Sequence, residues 1–181
     1  MQFSELIQLR QSVRAYQSRP VEREKIEILI EAVRLAPSAS NSQPWKLIIV
    51  DDPDIKNQVA RATFSALISF NRFAPQAPVL AVLTIERPKL VTQIGARLKD
   101  REFSLIDIGI AAEHFCLQSA ELGLGTCMLG WFDETAIHKV LAIPEKIRIG
   151  LVITLGYAAP GTPLRAKIRK DTKQMSSFNR Y

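Results

Sequence analysis

Three short apolar runs, Lys46–Val50, Val79–Ile85 and Ile149–Gly156, constrain this chain more than any other feature. Each is nearly continuous rather than alternating, so each reads as a strand covered on both faces. A strand covered twice needs one apolar layer above it and another below. Helical segments between the runs supply those layers. Phe3–Leu9 reads as a short amphipathic helix ending near Arg10-Gln11-Ser12. Glu22–Leu35 is a clearer helix, with Ile26, Leu29 or Ile30, and Val33 on one face and Pro37 beyond its end. A helix is expected from Asp54 to about Phe70, and a longer one from Leu105 to Leu122, rich in Ala and Leu and closed by Gly123. Gly125–Gly130 reads as a further short strand. Asp133 reads as the N-cap of a helix through Ile137, Val140 and Leu141 that stops before Pro144. Arg87–Arg101 is polar and carries no clear pattern. The sum is a three-layer α/β or α+β sandwich, one domain over residues 1–181, with a basic tail over about 158–181.

Composition narrows the function classes. At 47% hydrophobic and 23% charged, a chain of 181 residues can bury a core without disulfides or a metal. Two Cys and two His are too few for a zinc finger, an iron–sulfur site or a disulfide scaffold, and they fit a reducing, cytoplasmic setting. The apolar stretch Phe73–Ile85 is broken by Pro75, Gln76 and Pro78, and falls short of the ~18–20 residues a spanning helix needs, so no membrane partner is expected. Met1–Glu5 lacks the basic start and apolar run of a signal peptide. The net charge of +6 is concentrated: beyond Ala158, six basic residues face Asp171, a balance of +5, which leaves about +1 for the body. With a near-neutral body and no RNA-stacking motif, no nucleic-acid partner is expected.

Four segments could carry chemistry. Arg10-Gln11-Ser12-Val13-Arg14 sets two guanidiniums and a hydroxyl where a helix ends. It is either an anion-binding corner or a solvated cap. Pro37–Trp45 packs Ser38, Ser40, Asn41, Ser42 and Gln43 between prolines beside an aromatic. It suits a planar, heteroatom-edged ligand, or is an ordinary rigid turn. Gly123–Gly130 follows a helix and leads into a strand, the reverse of a dinucleotide fingerprint. Its glycines are expected to end the helix and admit a ligand close to the backbone. In the tail, Lys167 and Arg169 alternate, so an extended chain turns both cations toward one anion; the alternative is a frayed terminus. His114, His138, Cys116 and Cys127 have no partner at metal or catalytic spacing, so no metal is expected.

Taken in order, these segments resemble the nitroreductase family of flavin enzymes. The likeness rests on Arg10–Arg14, on Ala36–Trp45, on Asn71 ahead of Ala77-Pro78-Val79-Leu80, on the helix from Asp107 into Gly123–Cys127, and on Leu155-Gly156-Tyr157 followed by Lys167 and Arg169. It implies an α+β fold: a three-layer α-β-α sandwich with a mixed, mainly antiparallel central sheet. It implies a homodimer with FMN sites at the subunit interface. Arg10, Ser12, Lys167 and Arg169 would then hold the phosphate and ribityl chain, with Gln11 in the same cofactor-binding set. Arg14 would lie near the pyrimidine edge and Asn71 at the ring edge. Pro37, Ser38, Ala39 and Asn41 would come from the other subunit. Met128, Leu129 and Gly130 would back the ring.

The resemblance further implies NADH or NADPH as electron donor and small planar acceptors, nitroaromatics or quinones, served by ping-pong hydride transfer. No catalytic side chain is expected, because the flavin carries the chemistry. Alternatives on the same scaffold are reductive dehalogenation, flavin breakdown, or FMN binding without turnover. The chain is short for the family, and the stretch between Asn71 and Asp107 is brief for the helical excursion that larger members place over the flavin. Gly130-Trp131 stands where larger members often have an acidic residue and then Gly; Trp131 is either a pocket wall or a core aromatic.

Overall fold

The apolar runs are strands. In the computed structural model, which describes residues 1–86 and 102–181, β1 (Trp45–Val50), β2 (Val79–Ile85), β3 (Gly125–Leu129) and β4 (Arg148–Gly156) form one sheet in the order β1-β2-β4-β3. Every strand pairing is antiparallel, with Val50 opposite Leu80, Val79 opposite Leu155 and Cys127 opposite Thr154. The parallel component among the described residues is an isolated bridge between Ser12 and Thr126. The Arg87–Arg101 stretch lies outside the described residues.

Alternation through β2 splits the core in two. Leu80 and Val82 join Val59 and Ala60 of α3 (Pro53–Arg61) and Ile137 of α5 (Glu134–Leu141). Val79, Ala81 and Leu83 join Ile26, Leu29 and Val33 of α2 (Arg23–Arg34) and Ala111, Ala112 and Phe115 of α4 (Phe103–Glu121). Helices therefore cover both faces, the arrangement that near-continuous apolar strands require. Short α1 (Phe3–Leu9) buries none of its residues, and the tail holds only one further turn of helix, α6 (Thr172–Met175).

One helix is shorter than its pattern. The expected Asp54–Phe70 helix starts on schedule, with Asp52 accepting from the N–H groups of Asp54 and Ile55, but it ends at Arg61. The Thr63 hydroxyl donates to the Ala60 carbonyl at 2.7 Å, and Asn71 Nδ2 donates to the Thr63 carbonyl at 3.0 Å. Side chains thus take acceptors near the helix end, and the backbone turns away.

After β4 the chain doubles back along the N-terminal segment. Gln17 N–H donates to the Tyr157 carbonyl and Ala159 N–H to the Ala15 carbonyl, both at 2.9 Å. Tyr157 is pinned from the other side. Its hydroxyl donates to Glu22 Oε2 at 2.7 Å, accepts from Lys25 Nζ at 2.7 Å, and its ring lies 4.1 Å under the Arg19 guanidinium. The Tyr157 hydroxyl, foremost among the causes, holds the Glu22 carboxyl at about 2, down from 4.5. A depressed carboxyl stabilises the fold above its unfolded value and loses that contribution as pH falls through its folded one. The stability difference between wild type and Tyr157→Phe should therefore be full above pH 4.5 and close as pH approaches 2. Urea unfolding of both proteins across that range measures it; parallel curves would contradict the assignment.

Candidate cofactor site

The site starts with a strip of backbone laid beside β3. Val13 N–H donates to the Thr126 carbonyl at 2.8 Å, next to the Ser12–Thr126 bridge. A Cβ on Gly125 would stand 2.6 Å from Val13 Cγ2, so that glycine admits the chain's own Val13 rather than the ligand expected there. Gly123, at φ +75, ends α4 as expected.

The tail then meets this strip. Gln11 bridges it in both directions: its Nε2 donates to the Pro163 carbonyl at 3.1 Å and its Oε1 accepts from Arg165 N–H at 3.1 Å. The Arg165 guanidinium donates to the Ser12 carbonyl, and Lys167 Nζ donates to the Arg10 carbonyl. Arg10, Gln11, Ser12 and Lys167, separated by some 150 residues of chain, share one corner. Arg169 acts on Lys167 through its charge, while its Nη1 donates to the neighbouring Ile168 carbonyl at 2.7 Å rather than to the corner. Burial first, then the charges of Arg10 and Arg169, hold the Lys167 amine below the usual lysine range. The counter-charge is Glu113 of α4, whose Oε1 lies 3.2 Å from Arg10 Nε, a charge contact without hydrogen-bond alignment. The corner thus carries excess positive charge. Neither Glu113 nor Arg165 stands out in the sequence as part of it. Arg14 is exposed and close enough to Cys127 to act on it electrostatically.

The proline-flanked loop is held by a different set of partners. Ala39–Asn41 is one 3-10 turn, and Ser40, Asn41 and Gln43 all sit in the left-handed region, at φ 53, 50 and 48. Such positions are costly without glycine and persist only where neighbours enforce them. Here Gln43 N–H donates to Ser38 Oγ at 2.8 Å, Gln43 Nε2 donates to Asn41 Oδ1 at 2.8 Å, and Ala39 N–H donates to Asp107 Oδ1 at 3.0 Å. Asp107 is buried in α4, and its Oδ2 has no partner among the described residues. It is the loop's anchor, a role the sequence does not display. No hydrogen bond or ion pair among the described residues joins Pro37, Ser38 or Asn41 to the Arg10 corner.

At the end of β3, Leu129 is buried, Met128 half-buried and Gly130 exposed with open space where a side chain would be. Buried Asn71 donates from Nδ2 to the carbonyls of Thr63 at 3.0 Å and Trp131 at 3.2 Å, which leaves Oδ1 as its uncommitted atom among the described residues. Trp131 is 54% exposed and lines a cleft of about 580 Å³ with Phe64 and Phe132. That exposure excludes the reading of Trp131 as a core aromatic. Among the described residues no cluster of His, Cys, Asp or Glu is placed to hold a metal ion, and no helix is long and apolar enough to cross a membrane.

A model of the Nitroreductase family matches residues 7–157. The chain belongs to the nitroreductase family. A relative from Archaeoglobus fulgidus, named an NADH dehydrogenase/NAD(P)H nitroreductase, is 31% identical over 156 residues, covering 84% of this chain and 83% of its own. A nitroreductase family protein from Clostridium difficile 630 superposes with a TM-score of 0.79 at 25% identity over 100% of both chains. An FMN-dependent nitroreductase from Clostridium difficile R20291 superposes with a TM-score of 0.76 at 24% identity, over 97% of this chain and 98% of that one. The α+β sandwich is thus the nitroreductase fold, and the protein is an enzyme of an oxidoreductase family.

Gln11→Ala removes three of the bonds that seat the tail. Trypsin should then cut at Arg165 and Lys167 several-fold faster while the body stays intact, as read by mass spectrometry; an unchanged cleavage rate would show that the tail is held by other means. Asp107→Ala leaves the Ala39 N–H without its carboxylate and should cost about 1–3 kcal/mol in urea unfolding. Asp107→Asn keeps an acceptor at that point and should recover part of the loss.

Proposed function

We propose that this chain is an FMN-dependent oxidoreductase that draws on NADH or NADPH and reduces planar acceptors such as nitroaromatics or quinones. The carrying observation is the junction of Arg10, Gln11 and Ser12 with Lys167 and Arg169, a positively charged corner with one carboxylate against it among the described residues. A phosphate monoester near −2 supplies the charge that corner lacks. The fit is chemical as well as electrostatic, because guanidinium forks and a serine hydroxyl match phosphate oxygens.

The remaining residues have separate tasks on this reading. Arg14, exposed and unpaired among the described residues, would face the pyrimidine edge, where a fixed cation stabilises negative charge. Asn71 would present Oδ1 to the ring edge, since its Nδ2 is committed to Thr63 and Trp131. Met128, Leu129 and Gly130 would back the ring, with Gly130 leaving room for close approach. FMN held by these residues would supply the redox chemistry between nicotinamide and acceptor, and the residues would supply orientation and electrostatics.

Pro37, Ser38, Ala39 and Asn41 of a second copy would complete the site in a homodimer. Two features support that assembly: the loop is rigidly presented, and α1 and the tail leave Phe3, Ile7, Leu164 and Ile168 exposed. Two buried free thiols suit a reducing cytoplasm.

Purified protein should be yellow, with a flavin absorbance spectrum. Arg10→Ala should raise the FMN dissociation constant about 10–100-fold, the loss of a charge-assisted hydrogen bond worth ~1.5–3 kcal/mol. Fluorescence titration of the apoprotein with FMN reads it. Colourless protein that binds no FMN sinks the proposal, and unchanged affinity in Arg10→Ala removes the phosphate assignment.

A further inference from the structure

A solvent-exposed tryptophan on a rigid wall needs an explanation, because large aromatics are mostly covered unless something binds them. Trp131 is 54% exposed, yet its backbone is firmly held. Its carbonyl accepts from Asn71 Nδ2, whose other hydrogen goes to the Thr63 carbonyl, and Asp133 N–H donates to the Ala62 carbonyl at 2.7 Å. Those bonds staple the 131–133 wall to the 62–64 wall. The cleft between them is therefore preformed, and its volume of about 580 Å³ suits one small molecule.

The walls are aromatic, from Phe64, Trp131 and Phe132, and the rim is charged. Arg61, exposed in the last turn of α3, has no ion pair and no side-chain hydrogen bond among the described residues. The acidic residue of the rim, Asp133, is committed: its Oδ1 accepts from Ala136 N–H at 2.9 Å as the N-cap of α5, where the helix N-terminus offsets its charge. The uncommitted charge at the rim is thus positive. The cleft also adjoins the end of β3, since Trp131 follows Gly130 directly and its carbonyl accepts from Asn71.

We propose that this cleft is the acceptor site and selects a planar aromatic that carries a carboxylate, with its ring against Trp131 and Phe64 and its carboxylate on the Arg61 guanidinium. The proposal rests on the flavoenzyme reading for the word acceptor, and on the cleft alone for the ligand class. The competing role for Arg61, a cation that complements the C-terminal end of α3, predicts no discrimination between charged and neutral ligands.

Ligand-observed NMR titrations of the protein with para-nitrobenzoate and with para-nitrobenzamide, at neutral pH and low salt, test it. Wild type should bind the carboxylate about twofold to fivefold more tightly than the amide, the range for a partly exposed charge pair. Arg61→Gln should bring that ratio close to one, and Trp131→Leu should weaken both ligands. Equal affinities in wild type, a ratio that survives Arg61→Gln, or an unaffected Trp131→Leu would each overturn the proposal. With FMN-loaded protein and NADH or NADPH, the same ratio should appear in kcat/KM; a binding preference without a matching kinetic one refutes the acceptor role. Protein that takes up no FMN defeats the flavoenzyme reading, while the titrations still decide whether the cleft selects carboxylates.

Discussion

The hydrogen bond from Val13 N–H to the Thr126 carbonyl is the constraint on which the candidate site depends. It lays the strip that begins at Arg10 along β3, and it is possible because Gly125 has no side chain to collide with Val13. Once the strip is in place, its polar backbone and Gln11 become the surface on which the tail docks. The tail has no core of its own, so its cations are positioned by hydrogen bonds to the other end of the chain rather than by apolar burial. Chain ends that would otherwise fray are turned into a fixed feature.

Like charges brought together in this way repel, and the fold tolerates the repulsion rather than removing it. Lys167 is held below its ordinary range by burial and by two guanidiniums, with Glu113 acting in the opposite sense. The proline-flanked loop shows the same pattern in backbone terms. Three residues without glycine's freedom are kept left-handed by Ser38, Asn41 and a buried carboxylate from α4. Local cost at these two places is met in each by specific partners.

Much of the architecture was legible in the chain because it follows from local pattern. Val79–Ile85 is a strand over the residues its apolar run marks, and Asp133 caps the helix it precedes. What was not legible depends on partners distant in sequence. The helix begun at Pro53 ends early through Asn71 and the Thr63 hydroxyl, and no window centred on the helix contains Asn71. Asp107, Glu113 and Arg165 look like ordinary charged residues until the fold brings Ala39, Arg10 and Gln11 to them. The motif residues themselves were visible. The partners that hold them, Asp107 for the loop and Glu113 for Arg10, were not.

Helix α4 links these separate places. Six positions separate Asp107 from Glu113, about 9 Å of axial rise at 1.5 Å per residue. One end of that interval grips the loop and the other faces Arg10, so the helix acts as a ruler between them. A single-residue insertion inside the interval would swing one mark by about 100° relative to the other. Length changes there should be far less tolerated than changes beyond Gly123, and variation in relatives should spare this stretch even where its surface residues differ.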